Sequence, residues 1–303
     1  MFSILIPTYN NIDYLKLCIA SIKKNSKYNH QIIIHVNEGS DGTLEYVKNN
    51  RFEFTYSEKN AGMPKALNLA SKLALSDYLV ISHDDFYYCP GWDNEFHKEL
   101  SIMKNNLFYL SGTMVNADEN YRTNKFSTLP TFDAGLTYDN FNEEKLLNNL
   151  HKIKYFNFQG TTKHPALIHK ELWEKVGGWS EEFFPTGGDD TDFLVKLWNS
   201  GVRIFKGLGE CTVYHFGSIT TRKKNKSLFT YLGSKANKIF IRKWSMSINF
   251  FENNYLRSGY RNKRLIANVY EGPLLDPNKN YIFLLNKIKF KIYKIYLDFL
   301  NIK

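Results

Sequence analysis

The sequence predicts a doubly wound α/β fold, and three observations carry that prediction. An apolar run from Phe2 to Ile6 stops at Pro7-Thr8-Tyr9-Asn10, and apolar residues then recur at helical spacing as Leu15, Cys18, Ile19 and Ile22. A second apolar run, Gln31 to Val36, ends in the turn-forming stretch Asn37-Glu-Gly-Ser-Asp-Gly-Thr43. Strand, helix and strand joined by short connections predict a parallel sheet with a right-handed crossover. The third observation is Tyr78 to Ile81, a short buried strand that runs directly into Ser82-His83-Asp84-Asp85. Those side chains fall at the carboxyl end of a strand, where open α/β sheets form their ligand crevices.

The remaining elements follow in order. Arg51 to Ser57 alternates as a third strand, and Asn60-Ala-Gly-Met-Pro64 opens a helix through Leu67, Ala70, Leu73 and Ala74. Gly91 to Asn105 reads as a helix and Phe108 to Gly112 as a strand, whereas Val115 to Leu150 is polar, weakly periodic and read as loop and insertion. Beyond Gly160-Thr-Thr-Lys-His-Pro165 come a short helix at Lys170 to Val176 and the stretch Gly177-Gly-Trp…Gly188-Asp-Asp-Thr-Asp192. Phe193, Leu194, Leu197 and Trp198 then place Asp189, Asp190 and Asp192 in the first turn of a helix, where the dipole favours acids. Asp189 alone is read equally well as a helix cap. Val202 to Phe205 forms a strand that leads on to Cys211-Thr-Val-Tyr-His215.

Composition narrows the class. A chain of 303 residues with formal charge +10 can bury a full core and invites a polyanionic partner: nucleic acid, an anionic membrane or a phosphate-bearing substrate. Much of the excess charge lies after Thr221, away from the motif-bearing half, which counts against nucleic acid as the partner. No leader sequence and no membrane-spanning run are expected, and Cys18, Cys89 and Cys211, odd in number and free of CxxC spacing, indicate a reducing compartment. The expected location is therefore cytoplasmic, with peripheral attachment to the inner face of a membrane as an option. In the basic, aromatic tail Ile288, Ile292, Ile295 and Phe299 recur at helical spacing beside Lys287, Lys291 and Lys294. Such a helix suits an anionic membrane surface, or docks its apolar face on the catalytic domain or on a second copy of the chain.

Two adjacent carboxylates repel unless a proton or cation separates them, and oxygen ligands of this kind suit magnesium or manganese shared with substrate phosphates. A lone Asp-Asp pair is otherwise a turn cap. Context decides between these. Ser3-Ile-Leu-Ile-Pro-Thr-Tyr-Asn10, Asn37-Glu-Gly-Ser-Asp-Gly-Thr43, Ser82-His-Asp-Asp85 and Gly177-Gly-Trp…Gly188-Asp-Asp-Thr-Asp192 occur in an order that resembles family 2 glycosyltransferases of the GT-A fold, from Met1 to about Thr220. The Asn60-Ala-Gly…Asn68 helix and Tyr214-His215…Gly217-Ser218 resemble the family as well.

The resemblance implies a Rossmann-like, mixed but mostly parallel sheet flanked by helices as a catalytic domain over 1–220, with a basic helical extension over 221–303. It implies that Pro7, Thr8 and Tyr9 line a nucleotide pocket, that Asn37 and Asp41 contact the base and its surroundings, and that Asn60 and Asp84 join the donor site. Asp85 matches the last acid of a DxD-like metal motif, His83 its first position, and His215 a histidine that reaches the metal or diphosphate. Asp190 matches the catalytic base, with Asp189 in place of the preceding glutamate. Expected cofactors are Mn2+ or Mg2+, with a sugar nucleotide as donor. A UDP-sugar is the first expectation, but Asn37 stands where relatives commonly carry Asp, and an amide donates as well as accepts, so other bases stay open. The implied reaction is metal-assisted, inverting transfer to a glycan or lipid-linked acceptor in surface polysaccharide synthesis. A nucleotidyltransferase would want a Gly-rich basic phosphate loop near the amino terminus, which Pro7-Thr8-Tyr9-Asn10 is not, and a His-Asp phosphohydrolase would want further histidines on helices. A basic nucleic-acid-binding protein and a catalytically inactive sugar-nucleotide-binding relative are the alternatives; homo-oligomerisation stays open.

Overall fold

A computed structural model describes residues 1–117, 130–153, 156–160, 164–217, 226–257, 270–277 and 281–299. Its first half is β1 (Ser3–Tyr9), α1 (Ile12–Asn25), β2 (Gln31–Asn37), α2 (Thr43–Asn49), β3 (Glu53–Ser57), α3 (Gly62–Ser71) and β4 (Tyr78–Ile81). The strands pair in parallel in the order β3-β2-β1-β4, as the strand–helix–strand reading requires. Both faces of β1, β2 and β4 are covered, so these strands are largely apolar, whereas the edge strand β3 alternates and is partly exposed. Ile4 and Ile6 pack with Leu15, Cys18 and Ile19 of α1, while Leu5 faces the other way into a core with Leu67 and Ala70 of α3.

The second half is β5 (Phe86–Tyr88), α4 (Trp92–Ile102), β6 (Phe108–Asn116), α5 (Glu143–Ile153), β7 (Phe158–Gln159), β8 (Ala166–His169), α6 (Lys170–Lys175), α7 (Asp189–Asn199) and β9 (Ile204–His215). The sheet continues through β8, β6, β9 and β5, with β7 pairing β9. β8 runs antiparallel to β4 and β6, β6 is parallel to β9, and β5 and β7 oppose β9. Thus β1, β2, β3, β4, β6 and β9 share one direction and three short strands oppose it: the mixed, mostly parallel sheet expected.

Several details differ from the sequence reading. β5 and β8 were not expected as strands, because three or four residues beside a turn carry too little periodicity to show one. The stretch read as loop contains α5, whose Leu146, Leu147, Leu150 and Ile153 pack on a cluster with Tyr87 and Tyr214; Asn148 and Asn149 dilute that pattern. Residues 118–129 of the stretch lie outside the described residues.

After β9 come α8 (Lys226–Trp244), α9 (Ile248–Asn254) and α10 (Tyr281–Phe299). Phe240, Phe251, Tyr255 and Leu256 share one core with Phe193, Leu197 and Trp198 of α7, and the Tyr255 ring meets Trp198 edge-on at 5.2 Å. Asp192, fully buried, accepts hydrogen bonds from Trp244 Nε1 at 2.7 Å and Ser180 Oγ at 2.6 Å, and pairs with Lys243 Nζ at 2.9 Å. These helices therefore close the core beneath the helix that carries Asp189 and Asp190.

Candidate active site

The sequence-named side chains gather at the carboxyl edge of the co-directional strands. Thr8 lies one residue from the end of β1, Asn37 ends β2, His83 to Asp85 follow β4, and His215 ends β9 beside Asn116 of β6. Here the chain leaves the ladder, at the edge where open α/β sheets form ligand crevices; Thr8, Asn37, Asp85 and His215 are buried there.

Asp85 is buried, 4% exposed, and two imidazoles face it. His83 Nδ1 lies 3.9 Å from Asp85 Oδ1, and His215 Nε2 lies 3.4 Å from Asp85 Oδ2. One ligand atom from each of these three residues falls within 4.8 Å of the other two. The His83 ring stacks on Phe86 at 4.9 Å, and His215 Nδ1 donates to Asn116 Oδ1 at 2.9 Å. That bond aims Nε2 at the Asp85 carboxylate, where a proton or a cation between the two would satisfy both. His83 Nε2 is buried with no hydrogen-bond partner among the described residues. Desolvation lowers His83 to about 4 and outweighs the opposing charge of Asp85, so the imidazole is neutral and its lone pair available. Two imidazoles and a carboxylate, oriented by outer partners, fit a divalent cation.

Asp84 accepts from Thr8 Oγ1 at 2.7 Å. Desolvation, and then the charge of Asp85, raise it to about 7. Asp190 sits in the first turn of α7 and accepts from the Thr191 amide at 2.7 Å, and its charge acts on His83. Asp189 points inward: it is 2% exposed and accepts from the Gly187 amide at 2.8 Å and from Thr186 Oγ1. Burial, then the charge of Asp190, raise it to about 7. Of the two acids, Asp190 is the one partly open to solvent.

Three other named residues have structural bonds. Asn37 donates to the Thr8 carbonyl at 3.3 Å and accepts from the Ala61 amide at 2.8 Å, tying β1 to the start of α3. Asp41 accepts from the amides of Ile12 and Thr43, and so joins the starts of α1 and α2. Asn60 accepts from the Gly62 amide. Pro7 lies in β1, and Tyr9 donates to Glu38 Oε1 at 3.2 Å. Sequence reasoning passed over His164, whose ring packs 4.6 Å from His83 and 5.6 Å from Trp179, and Asn116, which orients His215. His164-Pro165 stood in a quoted stretch, but nothing local ties it to a strand end 81 positions earlier.

A family model, "Glycosyl transferase family 2", matches residues 3–176. The chain belongs to glycosyl transferase family 2. Among curated proteins, an uncharacterized glycosyltransferase of Rickettsia conorii is 37% identical over 94 residues, 29% of this chain and 15% of that protein. Another, from Rickettsia prowazekii, is 27% identical over 202 residues, covering 65% of this chain and 58% of the relative. The match thus spans 15% and 58% of these relatives' lengths, less than two thirds of either. Among solved structures, S. aureus TarS 1-349 superposes with TM-score 0.53 at 15% identity, covering 78% of this chain and 68% of that one. GalNAc-T7, solved with UDP, GalNAc and Mn2+, superposes at 0.52 and 16% identity, covering 71% and 43%. The family 2 chain described here has the GT-A fold of these neighbours, as the sequence resemblance implied.

Proposed function

We propose that this protein transfers a sugar from a nucleoside diphosphate sugar to a hydroxyl acceptor with inversion at the anomeric carbon. The observation that carries the reading is the His83–Asp85–His215 cluster at the sheet's carboxyl edge, with Asp190 close enough for its charge to reach His83. Asp85, His83 and His215 would hold the divalent cation, and imidazole donors beside a carboxylate favour manganese over magnesium. When bound, the cation would act as a Lewis acid on the departing diphosphate. GalNAc-T7 with UDP and Mn2+ and TarS in complex with UDP support a uridine donor and a metal by analogy of fold.

The chain's own residues divide the remaining work. Thr8 and the raised Asp84 fix the floor between β1 and β4, where Pro7, Thr8 and Tyr9 would line the nucleotide site. Asn37 and Asp41 would reach a base only by giving up bonds that hold β1, α1 and α3. Asp190, the more open of the two acids, takes the acceptor's proton as it attacks. Asp189, buried and held by Gly187 and Thr186, fixes the turn that aims its neighbour. Surface glycan or lipid-linked carriers are the acceptor classes to test.

The test is release of nucleoside diphosphate from a panel of sugar nucleotides with manganese, magnesium or chelator, on wild type and on Asp85→Ala and Asp190→Ala. Metal-dependent turnover of one donor, lost in both variants, supports the reading. Calorimetry showing that no nucleotide binds would sink it.

A further inference from the structure

Helix α10 is apolar on two opposite sides, and only one is covered. Phe283 and Leu297, 6% and 1% exposed, are buried with Phe290 between them on the same stripe at seven-residue spacing. Phe283 packs on Phe250 at 5.0 Å and on Tyr255 at 5.3 Å, and Phe290 meets Phe250 at 6.2 Å. Arg242 donates to the Leu297 carbonyl at 2.7 Å and pairs with Asp298 at 3.3 Å. The docking stripe is therefore not the one expected from the sequence. Ile288, Ile292, Ile295 and Phe299 point outward instead, together with Leu284 and Leu285, and these six are between 48% and 84% exposed.

At 3.6 residues per turn, that outward stripe has Lys289 along one flank and Lys287 and Lys291 along the other, all exposed. Asp298, the acid of this helix, is turned to Arg242, and Lys289 and Lys291 leave a positive charge on each flank. Large exposed apolar patches mark interaction surfaces, and charge selects among occupants. A second copy of α10 laid face to face would set lysines against lysines. A bilayer with anionic headgroups offers hydrocarbon to the stripe and phosphates to both lysine rows. No described helix is long and apolar enough to cross a membrane, which leaves α10 lying along a surface.

We propose that α10 seats the protein on an anionic membrane surface, with Leu284, Leu285, Ile288, Ile292, Ile295 and Phe299 in the headgroup boundary and Lys287, Lys289 and Lys291 at lipid phosphates. The full chain is sedimented with vesicles of phosphatidylcholine alone and of phosphatidylcholine with phosphatidylserine. Binding to the anionic vesicles is expected, weakening as salt screens the lysines. Combined Ile288→Ser, Ile292→Ser and Ile295→Ser should weaken it by at least about tenfold, about 1.4 kcal/mol, with thermal unfolding unchanged because the replaced side chains touch solvent. Combined Lys287→Glu, Lys289→Glu and Lys291→Glu should abolish the preference for anionic lipid. Equal binding to both vesicle types, or undiminished binding of the serine variant, overturns the proposal. So does a dimer in light scattering that the serine variant dissociates, which would assign the stripe to a second copy. Vesicle binding needs neither donor nor metal, so its outcome is separate from that of the transferase experiment.

Discussion

Replacing Gly62 by alanine should strain the junction that carries the Asp190 turn. Gly62 opens α3 at φ +79°, and a Cβ there would stand 2.8 Å from Phe184 Cδ2 and 2.9 Å from the Pro185 carbonyl oxygen. The same carbonyl accepts the Met63 amide at 2.9 Å, so the neighbour is backbone that cannot swing aside. The left-handed conformation costs an alanine about 1–2 kcal/mol, and overpacking of this kind adds about 1–3 kcal/mol. Gly177 supplies the control: its φ is +71°, but nothing lies within 4 Å of a built Cβ, so Gly177→Ala carries the conformational cost alone. In urea unfolding the two variants should differ by about 1–3 kcal/mol, Gly62→Ala being the weaker. Because Phe184-Pro185 leads within five residues to Asp190, kcat should fall by about tenfold or more in Gly62→Ala only. Equal destabilisation of the two variants, with equal kcat, would refute the idea that this contact holds the Asp190 turn rigid.

Asp190→Asn keeps the fold and the donor site, so kcat should fall by about 10²–10⁴ while calorimetric donor affinity stays the same; a matching loss of affinity would remove Asp190 from the base role. Asp189, raised to about 7 from an ordinary 3.8 by burial and then Asp190, keeps its proton in the folded state where the unfolded chain has lost it. Its stability contribution is full below about pH 4 and is lost as pH rises toward about 7. Asp189→Asn should therefore gain on wild type across that window in thermal unfolding, and a constant difference with pH would contradict the raised value. Trp244→Phe removes a 2.7 Å bond to buried Asp192 and should destabilise the whole chain by about 1.5–3 kcal/mol in one transition. A separate early transition would show that α8 unfolds on its own.

Much of this was legible locally. Apolar runs broken by Pro7 and Gly39, helical spacing in α1 and the acidic end of β4 specify the parallel half, because each signal lies within one element and both sheet faces are buried. The candidate residues Asp85, Asp190 and His215 were legible for a different reason: their motifs recur in order along a known family. What could not be read was any feature made by residues distant in sequence. β8 is four residues that become a central strand only because β4 and β6 supply edges on both sides. His164 matters only because His83 and Trp179 flank it, and Asn116 because β6 and β9 end in register.

The tail shows the same division. The sequence by itself determined that Lys287 to Phe299 is a helix carrying apolar residues and lysines, since periodicity is a property of neighbours on one chain. It could not determine which apolar stripe docks, because two stripes on opposite sides satisfy the same 3.6-residue period. Only Phe250, Tyr255 and Arg242, brought up by other helices, select Phe283 and Leu297 for the core and leave Ile288, Ile292 and Ile295 outside.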